Sequence, residues 1–97
     1  MPVVWIEPTW SDGVVDLAAW AKSEFDLSGD FSLEVTRKSA AGSARTRQGG
    51  RVTLTAGEAR RLSVVAIGPV ATDQDWTAHL SLSSDGRVIA EADAPAA

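Results

Sequence analysis

"FSLEVTRKSAAGSARTRQGGRVTLTAGEARRL", Phe31 to Leu62, is the stretch whose reading decides the fold. It opens by alternating apolar Phe31, Leu33 and Val35 with polar Ser32, Glu34 and Thr36. Successive side chains leave a pleated backbone on opposite sides, so period two predicts a strand with one buried and one solvated face. The pattern returns at Val52 and Leu54, set between Arg51, Thr53 and Thr55, before a turn at Ala56-Gly57-Glu58. It resumes with Leu62, Val64 and Ala66 against Arg61, Ser63 and Val65, and Gly68-Pro69 ends that run.

Working outward, Val3 to Glu7 is β-branched and aromatic, and Pro8 is expected to close it. Thr9 to Gly13 carries turn chemistry, with Asp12-Gly13 as its strongest element. Val14 to Lys22 reads two ways. As a helix it places Val14, Leu17, Ala18 and Ala21 on one face. As a strand it places Val15, Leu17, Ala19 and Ala21 on one side and Val14, Asp16, Ala18 and Trp20 on the other. Its shortness, the preceding Gly turn and the lack of a C-cap favour the strand. Toward the C-terminus, Trp76, Ala78, Leu80 and Leu82 alternate with Thr77, His79, Ser81 and Ser83. Ser84-Asp85-Gly86 then predicts a tight hairpin into Arg87 to Asp93, and 92–97 reads as a frayed small-residue tail.

Short strands divided by turn signals predict an all-β fold. The expectation is one immunoglobulin-like antiparallel β-sandwich of about seven strands spanning residues 1–97, with a closed barrel as the competitor. Ninety-seven residues suffice for a single core without metal or disulfide staples. No apolar run approaches the roughly 20 residues of a membrane-spanning helix. Met1-Pro2 running straight into Val3-Val4-Trp5 reads as a mature domain with a start codon added, so an export signal is assumed to have been removed.

The charge is unevenly placed. Net charge is −4, yet seven of the nine Lys and Arg residues lie between positions 37 and 61, against one acid, Glu58. That window carries +6, and the remainder, with two bases and twelve acids, carries −10. Such asymmetry speaks to solubility and partner steering rather than to fold.

Chemistry-bearing residues are scarce. The chain has no cysteine, which removes thiol catalysis, disulfides and Cys-based zinc sites. His79 is the only histidine, and on the polar side of its strand it reads as an isolated surface residue rather than a general base. Asp73 and Asp75 flank Gln74, but the longer ligand series of an EF-hand loop is missing, so they read as turn acids. No nucleotide-binding, nucleophile-elbow or zinc-protease motif occurs, and the reading is of a non-enzyme without cofactor or metal. Of four tryptophans, Trp76 is expected in the core. Trp10, in a turn, and Trp20, on the less apolar face, are the candidates for exposure.

The arginines themselves suggest a surface. Arg45, Arg47 and Arg51 occupy odd positions, and Gly49-Gly50 is expected to make a bulge or bend between two extended pieces. Arg37, on the preceding strand, is expected beside them, giving a basic stripe suited to an acidic or amide-rich extended partner. An acidic chain with no aromatics among its arginines does not fit nucleic acid. The bland alternative is that the arginines only keep the sheet soluble and unpaired.

The run Phe31 to Leu62 resembles the periplasmic curli chaperones of the CsgH type, distant structural counterparts of CsgC. Ser32-Leu33-Glu34-Val35, a basic pair, a Gly-containing turn, Gln48-Gly49-Gly50 and Ala56-Gly57-Glu58 carry the resemblance in order and spacing. It covers about residues 29–68 well and the ends loosely. It implies an immunoglobulin-like sandwich, located in the periplasm, that keeps curli subunits from polymerising before secretion by transient contact. The partner would be an amyloidogenic curli subunit bound by a monomer, with no nucleic acid and no membrane insertion. The client-binding surface would comprise Arg37, Arg45, Arg47, Arg51 and Gln48. CsgC carries a Cys-x-Cys pair, and its absence here excludes a thiol-redox role. Two other classes stay open: an extracytoplasmic adhesion module binding glycan or protein through exposed Trp, and a structural domain of a larger protein.

Overall fold

Two aspartate-glycine turns set the hairpins at either end of the chain. In the computed structural model, which describes residues 2–39, 42–69 and 76–95, Asp12 and Gly13 both have positive φ (49° and 77°), as do Asp85 and Gly86 (54° and 76°). Two consecutive positive φ values make a type I′ turn, whose twist matches the strands it joins. The first turn links β1 (Val3–Ser11) to β2 (Val14–Lys22), and the second links β6 (Trp76–Ser84) to β7 (Arg87–Ala94). Between them run β3 (Leu27–Ser39), β4 (Gly42–Leu54) and β5 (Arg60–Ile67).

All the pairings are antiparallel. One sheet has the order β1-β2-β5 and the other β4-β3-β6-β7, so the architecture is an open two-sheet sandwich, with no helix among the described residues. β1 packs over β7, while β5 lies over β3 and β4. The longest dimension is 43 Å. Thirteen extended residues at about 3.3 Å each account for that length, so the β3–β4 ladder sets the long axis.

Alternation builds the core. On β2, Val15, Leu17, Ala19 and Ala21 are wholly buried, which settles this segment as strand over helix. They face Leu33 and Val35 of β3 and Trp76, Ala78 and Leu80 of β6, with Leu54, Val52 and Leu82 filling the other end. Trp76 is the largest buried side chain, as its place in the alternation predicts. Each buried Leu or Val contributes about 1.5–3 kcal/mol relative to exposure, so these inner faces supply most of the driving force.

Several sequence expectations are corrected. β1 continues through Pro8 to Ser11, and Trp10 is a strand residue opposite Val15 rather than part of a turn. Proline is tolerated there because β1 is an edge strand, where a missing N–H costs no ladder bond. β7 carries Ala92 through Ala94 in register with β6, and Ala94 is buried, so the expected tail is strand as far as that residue. Asp73 and Asp75 lie outside the described residues.

The Gly49-Gly50 pair makes no bulge. β4 pairs with β3 without a shift along the whole ladder, Gly49 opposite Ser32 and Gly50 opposite Phe31. The bulges fall at Ala19/Trp20 and Leu82/Ser83 instead. Gly49 is required by close approach: a Cβ there would sit 2.9 Å from the Phe31 carbonyl oxygen, whereas one on Gly50 would meet only the Phe31 ring at 3.5 Å.

These two neighbours therefore respond oppositely. Gly49→Ala should destabilise by about 1–3 kcal/mol, because the backbone must shift to relieve the clash. Gly50→Ala should be neutral or stabilising by up to about 1 kcal/mol, since it restricts the unfolded chain without strain. Urea denaturation of the two variants checks the contrast.

Candidate functional site

Burial of Leu33 and Val35 turns the odd positions of β3 inward. In the β3–β4 hairpin the numbers of each paired couple add to 81, so an odd residue of β3 shares its face with an even residue of β4. Arg45, Arg47 and Arg51, opposite Thr36, Glu34 and Asp30, are thereby brought together on the outer face of the sheet. They form one row along an edge strand, interrupted at Gly49. Arg45 is well exposed, with 69% of its side chain accessible, and its Nε lies 3.5 Å from Glu34 Oε1. Arg47 Nε donates to Ser32 Oγ at 3.1 Å. Exposed pairs of this kind contribute about 0.2–1 kcal/mol at most, so the row adds little to stability.

Arg37 and Gln48 do not join that row. Arg37 is the next odd position after Val35, opposite Ala44 on β4 and Trp76 on β6, and it belongs to the inner face. Its guanidinium donates to the carbonyl oxygens of Gly68 (3.0 Å) and Pro69 (2.5 Å), tying β3 to the end of β5. Gln48, opposite Leu33, also points between the sheets, where the Ser63 hydroxyl of β5 donates to its Oε1. The expectation that Arg37 lies beside Arg45 and Arg47 is therefore corrected by register: one step along the ladder reverses the face.

Two further arginines extend the positive side. Arg60 and Arg61 stand on β5, the edge of the other sheet, and Arg61 is opposite Trp20. β4 and β5 border the same side of the sandwich. At the far edge of the larger sheet β7 presents Glu91 and Asp93. Its outer face thus runs from basic at β4 to acidic at β7.

His79 is where sequence reading missed a cluster. It is not isolated: its Nδ1 is 2.6 Å from Asp93 Oδ1 and its Nε2 3.3 Å from Glu91 Oε1, with Glu34 opposite on β3. Cross-strand pairing at His79↔Asp93 was the signal available, and it needed the β6–β7 register. Trp5 and Trp20 stack with ring centroids 6.1 Å apart and planes 4° from parallel, so each covers a face of the other. Trp10 is the more open tryptophan, 41% exposed.

The hydrogen bond to Asp93 chiefly raises the His79 pKa, helped by the Asp93 charge and by Glu91, while partial burial opposes the rise. A raised folded value means that the protonated ring stabilises the fold. That contribution is full below the usual 6.5 and is lost as pH climbs through the folded value. The cluster is exposed, so the effect on stability is small. An NMR titration of His79 should give a pKa above 6.5, and Asp93→Asn should move it down toward that value.

With this geometry in view, the chain can be set beside known proteins. Among curated proteins, nothing matches it. The solution structure of R. palustris CsgH superposes with a TM-score of 0.73 at 24% identity, covering 96% of this chain and 90% of that one. The E. coli curli protein CsgC, in a SeCys structure, superposes with a TM-score of 0.85 at 11% identity, covering 99% of this chain and 100% of that one. At such identities these likenesses speak to the fold. The model of the CsgH protein family matches residues 4–93, nearly the whole sandwich, and the chain belongs to the CsgH family.

Proposed function

We propose that this protein acts in the periplasm as a chaperone-like inhibitor of amyloid assembly, keeping curli subunits from polymerising before secretion. Membership of the CsgH family over residues 4–93 carries the reading, and the likeness to the E. coli curli protein CsgC supports it. The contact is transient and non-catalytic. It works without a thiol, because the chain has no cysteine.

The basic row on β4 suits that task. A client that passes through stacked cross-β intermediates has to be met early, before a template forms. Complementary charge raises encounter rates and disfavours wrong partners more than it adds affinity. Arg45, Arg47 and Arg51 stand together on an exposed edge strand and are the residues proposed to meet the client. Arg37 and Gln48 act differently, as ties between the sheets: Arg37 joins β3, and Gln48 joins β4, to the β5 side.

An amyloid-dye time course of a curli major subunit tests the reading. The wild-type protein should lengthen the lag without ATP, metal or thiol, and an unchanged lag across a wide range of ratios would sink the proposal. The triple variant Arg45→Ser, Arg47→Ser, Arg51→Ser should keep its urea midpoint, because exposed charges contribute little to folding, yet inhibit less well. Raising salt should weaken the wild-type inhibitor, since screening shortens the reach of exposed charge to about 8 Å at physiological ionic strength. Arg37→Ser should instead lower stability, by leaving the Gly68 and Pro69 carbonyls without their donor.

A further inference from the structure

Four strands lie at the edges of the two sheets: β1 and β5 in one, β4 and β7 in the other. A bare edge is a template for any passing strand, and soluble proteins blunt it with proline, bulges, charge or cover. Three of the four edges carry a proline or a bulge. β1 has Pro8 in mid-strand. β5 is bulged against β2 at Ala19/Trp20. β7 is bulged against β6 at Leu82/Ser83 and is packed over by β1. β4 has neither. It runs thirteen residues, Gly42–Leu54, without proline and without a register shift, and most of it is exposed. What it does carry is a single sign of charge on its outer face.

We infer that β4 is an open docking edge that takes one extended segment of a partner as an added strand, the segment bearing acidic residues at alternate positions. The inference rests on the proposed function only in placing the client at β4, and it names how the client is held and what its segment must look like. Strand addition takes affinity from main-chain hydrogen bonds and specificity from alternate side chains. On the outer face β4 offers Arg45, Arg47, Gly49 and Arg51 in that order. An added strand therefore matches with carboxylates opposite the three arginines, two, then four residues apart along its chain. Between the last two, the position opposite Gly49 has no side chain to meet and accepts a bulky, aromatic group, the arrangement in which an aromatic covers a strand glycine. The inner-face neighbours Ala44 and Thr46 are small and set no charge requirement.

A second copy of this chain is the poorer occupant. β4 paired with another β4 would bring like-charged rows together, and like charges directly opposite each other destabilise a strand pair. The same row that invites an acidic strand thus repels its own kind and keeps the open edge monomeric.

The test uses the intact protein and synthetic peptides of one composition, read by fluorescence anisotropy. The parent peptide has Asp at the three matching positions, Trp opposite Gly49 and Val or Thr between. Two derivatives carry backbone N-methyl groups on one or the other set of alternate residues, leaving charge and side chains identical. In a strand, alternate amides point to opposite sides, so only one set faces β4. Binding should fall at least about tenfold in one N-methylated derivative and persist in the other, since lost backbone hydrogen bonds are costly to leave unmade. The parent should also slow hydrogen exchange of β4 amides. A peptide with its acids contiguous should bind more weakly, and sedimentation should show a monomer.

Equal binding by both methylated peptides would overturn the inference, as would no binding by the parent or a dimer that buries β4. Inhibition of curli-subunit fibrillation is measured separately. Inhibition retained while methylation makes no difference overturns the edge alone. Protection of β4 by the peptide with fibrillation unaffected overturns the proposed function alone.

Discussion

The inward burial of Leu33 and Val35 is the constraint on which the rest of this molecule depends. β3 is central in its sheet, hydrogen-bonded to β4 on one side and β6 on the other, so its choice of face propagates across every row. With its odd positions in the core, β6 must turn Trp76, Ala78, Leu80 and Leu82 inward, and β4 must turn Arg45, Arg47 and Arg51 outward. Reversing that face would bury three guanidinium groups and expose Leu33, Leu54, Leu80, Leu82 and Trp76. The cost of an unpaired buried charge forbids it.

The same constraint explains why a basic segment of sequence does not become a single basic surface. Arg37, Gln48 and the outward arginines are close along the chain, yet parity sends the first two between the sheets. There Arg37 caps the carbonyls at the end of β5, and Gln48 receives the Ser63 hydroxyl. Polar ties of this kind suit the side of the sandwich where β4 and β5 approach each other without a large apolar interface. On the opposite side β1 covers β7, and the acids Glu91 and Asp93 close around His79. Charge is thus sorted across the sheet by strand order, a tertiary property, rather than by position in the chain.

Stability and recognition are kept physically apart. The inner faces are apolar and tightly filled, whereas the charged row stands on an edge strand whose removal from solvent contributes little. Gly49 joins the two: it lets β3 and β4 approach without a clash at the Phe31 carbonyl, and it leaves a gap in the arginine row. Two solved structures share this fold at only 24% and 11% identity.

Much of the fold was legible in the chain itself. Period-two alternation identified the strands, because a half-buried sheet writes its burial pattern into the sequence, though on β5 it is Val65 and Ile67 that turn inward and Val64 that is exposed. Asp-Gly at 12–13 and 85–86 marked both hairpin turns, since few other residue pairs accept two positive φ values. The excess of arginine between 37 and 61, and the lack of cysteine, were likewise plain from composition. The length of β1 beyond Pro8, the unbulged path through Gly49-Gly50 and the company kept by His79 were not, because each depends on which strand lies alongside. Local pattern states that a side chain alternates, but not which neighbour fills the next row. Only the assembled sheets decided that Arg45, Arg47 and Arg51 share an open edge while Arg37 turns inward, because the face of a strand residue is set by register with its partner and by burial of a core made from both sheets.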